Sequence, residues 1–285
     1  MGVIKPQNAP VANYELVRLG NGAFSVRSTA ENETFHPVIG PAAEAEALYV
    51  NQIKPRLESH AGEFVIWDVG LGAAANVLAV LRASAELPCS LRVISFDRTV
   101  EPLRFALQHS GKLGYFDGYE TLVAQFIQTG RACLGRGHWE LREGDFPELM
   151  RDTSQTLPPP HAILFDAYSP GRNPAMWTAS LFSDLFRRLN PRRPCAMPTY
   201  SRSTMLRVTL LLAGFFVGVG RPTGEKEETT IAANALELLD EPLPPAWLQR
   251  VRKSKSAEPL REPVYRQAPL SPESWEKLRQ HPQFR

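Results

Sequence analysis

The sequence predicts an α/β chain: a seven-stranded, mostly parallel sheet with helices on both faces, preceded by a hairpin extension and followed by a tail. Three observations carry this. Short apolar runs without polar interruption recur between residues 64 and 233, as strands buried on both faces require. Segments rich in helix formers alternate with them. Several of the runs end in Gly or Asp, which serve the turn from strand to helix.

Taken in order, Glu15–Leu19 and Ala23–Ser28 flank Gly20-Asn21-Gly22, a hairpin signal. Pro41–Arg56 is Ala- and Glu-rich and reads as a helix, with Leu48, Val50 and Ile53 apolar. Phe64–Val69 is the first buried strand and Ala73–Ser84 the helix after it. Arg92–Phe96 is the second strand, closed by Asp97. Pro102–Ser110 and Tyr119–Cys133 read as helices. Trp139–Arg142 is the third strand, with Gly144-Asp145 and a helical turn, Phe146–Arg151, behind it. Ala162–Phe165 is the fourth, ending in Asp166, and Trp177–Leu189 is an amphipathic helix. Pro194–Thr199, Phe215–Val219 and Thr229–Ala233 complete the seven, with Arg202–Ala213 helical. Residues 236–285 are Pro-rich and charged, expected to wrap the domain with a short helix at Pro272–Gln280.

Composition bounds the function. Hydrophobic residues are 43% of the 285 and charged ones 22%, ordinary values for a chain with a sizeable core. The net charge is only +2, but residues 191–285 hold 15 Lys/Arg against 10 Asp/Glu. A basic C-terminal third suits a polyanionic partner, and a solvated surface accounts for it equally well. Cys89, Cys133 and Cys195 lie far apart, which argues against a disulfide framework or a zinc site and for a reducing compartment. Met1–Pro10 has no apolar core, so no secretory leader is expected. Val208–Gly220, the most apolar stretch, is too short for a bilayer that needs about 20 residues.

Ligands in open α/β sheets sit at the carboxyl ends of the strands. The first such end reads Asp68-Val69-Gly70-Leu71-Gly72-Ala73-Ala74. Gly70 and Gly72 permit a tight turn and a close ligand, and the next helix offers unpaired N–H groups to an anion. Ala74 stands where a dinucleotide fingerprint wants its third glycine, which argues against a pyrophosphate cofactor. S-adenosylmethionine asks less, since only its carboxylate needs amide donors. Asp97 is placed to accept from two ribose hydroxyls, and Asp145 from an adenine amino group. Each also reads as a helix N-cap.

The fourth strand end, Asp166-Ala167-Tyr168-Ser169-Pro170, sets an acid, an aromatic and a stiffening proline in sequence. Methyl transfer from a sulfonium needs a nucleophile held in line, and an amine must be neutral to attack. Asp166 suits orienting the amine and taking or relaying its proton; Tyr168 suits stacking on a base or facing a cationic centre. An N-cap and ordinary packing are their respective alternatives. Arg192, Arg193, Arg202, Lys226, Arg250, Arg252, Lys253 and Lys255 are candidate phosphate contacts.

These residues resemble the methyltransferase unit of the bacterial enzyme family that completes 5-methylaminomethyl-2-thiouridine at the tRNA wobble position, in particular its stand-alone, MnmC-like form without the FAD oxidase half. The resemblance runs over nearly the whole chain: Gly20–Val26, Glu33-Thr34-Phe35-His36, Gly40, Glu44–Ala47, Asp166–Pro170 with Asn173-Pro174 and Met176-Trp177, Arg193–Ser201, Gly224–Glu227, then Trp247, Arg250, Arg252, Lys253 and Ser254, and His281–Phe284. It implies a Rossmann-like class I fold, S-adenosylmethionine as cofactor, tRNA as partner, and N-methylation of 5-aminomethyl-(2-thio)uridine. Asp166 and Tyr168 become the expected catalytic pair. Asp68, Gly70, Gly72, Asn76, Asp97, Asp145 and Asp166 become the expected cofactor contacts. Tyr168, Pro170, Asn173, Trp177, Arg193, Arg202, Lys226, Arg250, Arg252 and Lys253 become the expected substrate contacts. A cytoplasmic monomer is expected, with no metal and no membrane, fed by a separate enzyme that supplies the aminomethyl group. The expected division is residues 1–60 as extension, 61–235 as the S-adenosylmethionine-binding domain and 236–285 as basic tail. One departure stands out: where the family has Gly-Phe-Gly-Thr/Ser-Gly-Leu-Asn, this chain has Gly70-Leu71-Gly72-Ala73-Ala74-Ala75-Asn76. Two alternatives stay open, methyl transfer to another amine and a non-catalytic RNA-binding descendant.

Overall fold

A computed structural model describes residues 13–224 and 227–285. The chain opens with a small antiparallel sheet of β1 (Tyr14–Arg18), β2 (Phe24–Ser28) and β3 (Glu33–Thr34). The β1–β2 turn is the expected hairpin: Gly22 takes φ +89° and the Asn21 side chain accepts from Ala23 N. A helix over residues 41–58 follows, made of α1 (Pro41–Ala45), a π turn (Glu46–Val50) and α2 (Asn51–Glu58). The π turn inserts one residue into the helical register and faces Leu48, Tyr49 and Val50 inward.

The main sheet contains β4 (Glu63–Val69), β5 (Ser90–Asp97), β6 (Arg131–Leu134), β7 (Gly137–Glu143), β8 (Ala162–Phe165), β9 (Ala196–Thr199), β10 (Phe216–Gly220) and β11 (Thr229–Ala233). Their order is β10-β11-β9-β8-β4-β5-β7-β6. The five strands from β9 to β7 run parallel; β11 is antiparallel to both its neighbours, and β6 is antiparallel to β7. The helices are α3 (Ala75–Ser84), α4 (Glu101–Gln108), α5 (Ser110–Leu113), α6 (Glu120–Thr129), α7 (Phe146–Arg151), α8 (Ala179–Arg188), α9 (Thr204–Ala213), α10 (Trp247–Lys253) and α11 (Pro272–Arg279). This is the α/β Rossmann-like fold that the strand–helix alternation implies.

Strand alternation divides the core into two layers. Along β4, Phe64 and Ile66 join the layer of α1 to α6, while Val65, Trp67 and Val69 join the layer of α7 to α11. Each fully buried side chain of this size contributes about 1.5–3 kcal/mol. The same alternation turns Asp68 toward the first layer. The register sets it opposite Ser95, whose Oγ donates to Asp68 Oδ2 at 2.7 Å and accepts from Trp139 Nε1 at 2.9 Å.

The structure departs from the sequence reading in two elements. The stretch 119–133, expected as one helix, breaks at Gly130, which adopts φ +68° as a left-handed cap. Residues 131–134 then turn back as β6 and add an eighth strand beside β7. The tail holds a second helix, α10, whose Trp247 and Val251 are buried. Its apolar positions are too few for a clear period against the surrounding prolines. No helix among the described residues is long and apolar enough to cross a membrane.

Candidate active site

The carboxyl ends of β4, β5, β7, β8 and β9 open onto one cavity of about 620 Å³, roofed by residues of the N-terminal sheet and its connection to α1. At its floor is Gly70, at φ +89°, donating its N–H to Phe96 O at 3.0 Å. A Cβ built there would stand 2.6 Å from Asp166 O, so the β4 and β8 ends meet in a space that only glycine fills. Gly72 N donates to Asp97 Oδ2 at 3.0 Å, while Asp97 Oδ1 accepts from Arg98 N at 2.7 Å. Burial pushes the Asp97 carboxyl up, and those backbone N–H groups oppose the shift. Tyr115 OH donates to Ala73 O at 3.0 Å and pins the rest of the loop.

Asp145 stands at the N-cap position of α7 but makes no side-chain cap hydrogen bond, and it lines the cavity. Its carboxylate is therefore not engaged by the helix end it precedes. Asp166 lines the cavity, with Oδ2 accepting from Asn76 Nδ2 at 2.7 Å. Asn76 Oδ1 is buried without a hydrogen-bond partner. The loop after Asp166 is held at three points. Tyr49 OH donates to Phe165 O, Tyr200 OH to Ala167 O, and Trp177 Nε1 to Tyr168 O, at 3.1, 3.0 and 2.7 Å. Tyr168 lies in the cavity wall with its ring centroid 5.6 Å from that of Phe35. Ser169 is clamped by Glu33, which accepts from its N–H and its hydroxyl.

Of the expected site residues, Gly70, Gly72, Asn76, Asp97, Asp145, Asp166, Tyr168 and Asn173 come together around this cavity. The others do not. Asp68 is behind the wall, fully buried, because period-two alternation points it at the helix layer; burial raises its carboxyl to about 7. Trp177 is core: it is fully buried and packs edge-on against Phe165. Pro170 lies outside the lining. Arg193 precedes β9, at the amino edge of the sheet, and donates to Pro159 O at 2.6 Å; it faces away from the strand ends that bear the site. Arg202 is exposed in the loop between β9 and α9. Arg250 and Lys253 border a separate shallow hollow with Thr204 and Gln249, and Arg250 also stands 3.9 Å from Glu228. Arg252 is spread over the Trp275 ring at 4.6 Å. Lys226 lies outside the described residues.

Linear reading gave no role to His36, Glu44, Phe35, Glu33 and Tyr200, which the tertiary structure brings to the cavity. The available signal was the Glu33–His36 and Glu44 part of the family resemblance, whose chemistry becomes readable only beside residue 166.

The cavity fits S-adenosylmethionine on its own features. Its volume suits a nucleoside-sized ligand. Gly70 leaves room for close approach, Asp97 and Asp145 offer acceptors at one side, and the orphaned Asn76 Oδ1 marks an unmet polar contact. Ala74 adopts φ +60° as the N-cap of α3, yet it is buried in the helix layer and is not part of the cavity wall.

Comparison with known proteins agrees. Residues 146–235 match a family model described as S-adenosyl-L-methionine-dependent methyltransferase. The chain is 30% identical over 224 residues to the tRNA 5-methylaminomethyl-2-thiouridine biosynthesis bifunctional protein MnmC of Aeromonas hydrophila, over 71% of this chain and 32% of that one. It is 32% identical over 192 residues to the protein of the same name from Ectopseudomonas mendocina, over 62% and 28%. The crystal structure of MNMC2 from Aquifex aeolicus superposes with a TM-score of 0.69 at 21% identity, covering 95% of this chain and 84% of that one. That likeness establishes the shared fold. Fold, cavity and family match together define the class: the chain is an S-adenosylmethionine-dependent methyltransferase of Rossmann-like architecture. Within that class it is related to the methyltransferase part of the MnmC proteins, and it spans about a third of the length of the curated relatives it matches.

Proposed function

We propose that this enzyme methylates the primary amine of 5-aminomethyl-(2-thio)uridine in tRNA. The observation that carries the reading is the meeting of Asp166, Asn76 and Tyr168 at one cavity with the Gly70–Gly72 loop, Asp97 and Asp145. When bound, S-adenosylmethionine supplies an electrophilic methyl group on a sulfonium sulfur. The Gly70–Gly72 backbone, Asn76, Asp97 and Asp145 are the groups that would hold it. Asp166, fixed by Asn76, orients the amine lone pair and keeps its N–H groups engaged. Tyr168 and Phe35 offer aromatic faces to an unstacked base. Arg202, Arg250 and Lys253 are the exposed cations proposed to meet RNA phosphates, where counterion release would make binding salt-dependent. The division at residues 60 and 235 is kept as the proposed domain organisation. A separate enzyme that delivers the aminomethyl group belongs to the same reading, as do a monomeric state and cytoplasmic location.

The test is transfer of labelled methyl from S-adenosylmethionine to tRNA carrying aminomethyluridine, followed by nucleoside mass analysis. A methylaminomethyl nucleoside is expected. Asp166→Ala should lower kcat by about 10²–10⁴ while the cofactor dissociation constant stays close to the parent's. Transfer to small amines but not to tRNA would move the reading to another substrate, and undiminished turnover in the variant would remove Asp166 from the chemistry.

A further inference from the structure

We propose that His36 is the base that removes the proton from the substrate ammonium before methyl transfer, with Asp166 orienting the amine and Glu44 backing the imidazolium. The inference rests on the amine-substrate reading above and deepens it.

Geometry comes first. His36 lines the cavity between two carboxylates that belong to distant parts of the chain. Its Nε2 is 3.6 Å from Asp166 Oδ2 and its Nδ1 is 3.8 Å from Glu44 Oε2. The side chain is only 10% exposed. Both separations exceed hydrogen-bond length, and a small ring movement closes either. The backbone adds a second observation. His36 holds φ +48°, a left-handed conformation that costs a non-glycine residue of order 1 kcal/mol or more and persists where the surroundings impose it. It lies just after β3, in the segment that Glu33 ties to the Asp166 loop through Ser169.

Chemistry selects the ring over the carboxylate. Asp166 Oδ2 already accepts from Asn76. A free imidazole also holds a proton some two to three pH units higher than a free carboxylate, so it is much the better match for an ammonium donor. The carboxylates that face the ring are Glu44 from α1 and Asp166 from the end of β8, and Glu33 from β3 lines the same cavity. Tyr49 of the π turn and Tyr200 after β9 are phenols that interact with the same two carboxylates, Asp166 and Glu44. Burial pushes both phenols well up and each donates to a backbone carbonyl, so neither competes as a base.

The step balances. His36 Nε2 takes one proton from the substrate –NH3+ and leaves –NH2. The amine lone pair forms the N–C bond to the methyl carbon as the C–S bond breaks, and that bonding pair goes to sulfur, which becomes a neutral thioether. The nucleoside product is a secondary ammonium. The proton on His36 passes to water as the product leaves.

The experiment is the pH profile of kcat from pH 6 to 9.5 on aminomethyluridine tRNA, for the parent and for His36→Asn, with melting temperature and calorimetric S-adenosylmethionine binding measured on both. Asparagine tolerates the left-handed backbone and supplies no base. At pH 7 the variant should lose about 10²-fold or more in kcat. The deficit should shrink about tenfold per pH unit as solvent deprotonates the amine instead, with cofactor affinity and melting temperature close to the parent's. A deficit of constant size across the range, or none, overturns the proposal. Should His36→Asn fail to fold, Glu44→Gln takes its place: loss of the counter-charge moves the acidic limb of the profile to lower pH, and an unmoved limb overturns the proposal. A parent enzyme that transfers nothing to aminomethyl RNA overturns both this and the amine reading; normal parent turnover beside an unaffected variant overturns this one alone.

Discussion

Replacing Gly70 by alanine separates backbone strain from steric closure at the cavity floor. The new Cβ would lie 2.6 Å from Asp166 O and 3.0 Å from its carbonyl carbon. Asp166 O must retreat by at least about 0.4 Å to reach the shortest separation a real Cβ tolerates. It has little freedom to do so, because Asp166 N is bonded to Val69 O at 2.9 Å and the loop behind it is pinned by Trp177 and Tyr200. Left-handed φ costs about 1–2 kcal/mol for a residue with a Cβ, and overpacking a rigid contact about 1–3 kcal/mol. Gly70→Ala should therefore cost about 2–5 kcal/mol. Gly62 is the internal control: it has φ +97° with nothing within 4 Å of an added Cβ. Gly62→Ala should cost only the strain, about 1–2 kcal/mol. Urea unfolding of both variants gives the difference, and calorimetry with S-adenosylmethionine gives the functional consequence, an affinity loss of tenfold or more confined to Gly70→Ala. Equal destabilisation of the two variants with unchanged affinity would refute the claim that β4 and β8 ends are locked together through this glycine.

Three further outcomes follow from the same geometry. Asp97→Ala removes the acceptor for Gly72 N and should weaken S-adenosylmethionine at least tenfold; a calorimetric dissociation constant equal to the parent's would deny Asp97 any part in the site. Asp68, raised to about 7 by burial, stays protonated in the folded chain while the unfolded one ionises near 3.8, so its contribution falls as pH rises between those values, by up to about 4 kcal/mol, and is level above. Asp68→Asn should flatten that part of the slope, read as urea midpoints at pH 4.5 and 7.5; identical slopes would contradict it. Ala74→Gly trades relief of left-handed strain against chain entropy and a lost buried methyl, so stability should change by less than about 1 kcal/mol. Cofactor affinity should stay within threefold, and a tenfold gain would show that the Ala74 methyl crowds the site after all.

The alternation of buried strands and helices, the turn at Gly70–Gly72 and the acids closing β5 and β8 are all local statements, set by burial period and backbone freedom, and the sequence by itself determined them. So was the hairpin at Gly20–Gly22. The edge strand β6 was not legible, because its existence depends on an open edge of β7 to pair with. Nor was the fate of Trp177, Arg193 and Asp68: an aromatic, a cation and an acid look alike in sequence whether they face a cavity, the opposite sheet edge or the core. The tertiary structure alone brought His36 and Glu44 to Asp166, across more than 100 residues of chain, because closing such loops is a matter of packing the N-terminal helix against α3 and leaves no trace in local periodicity.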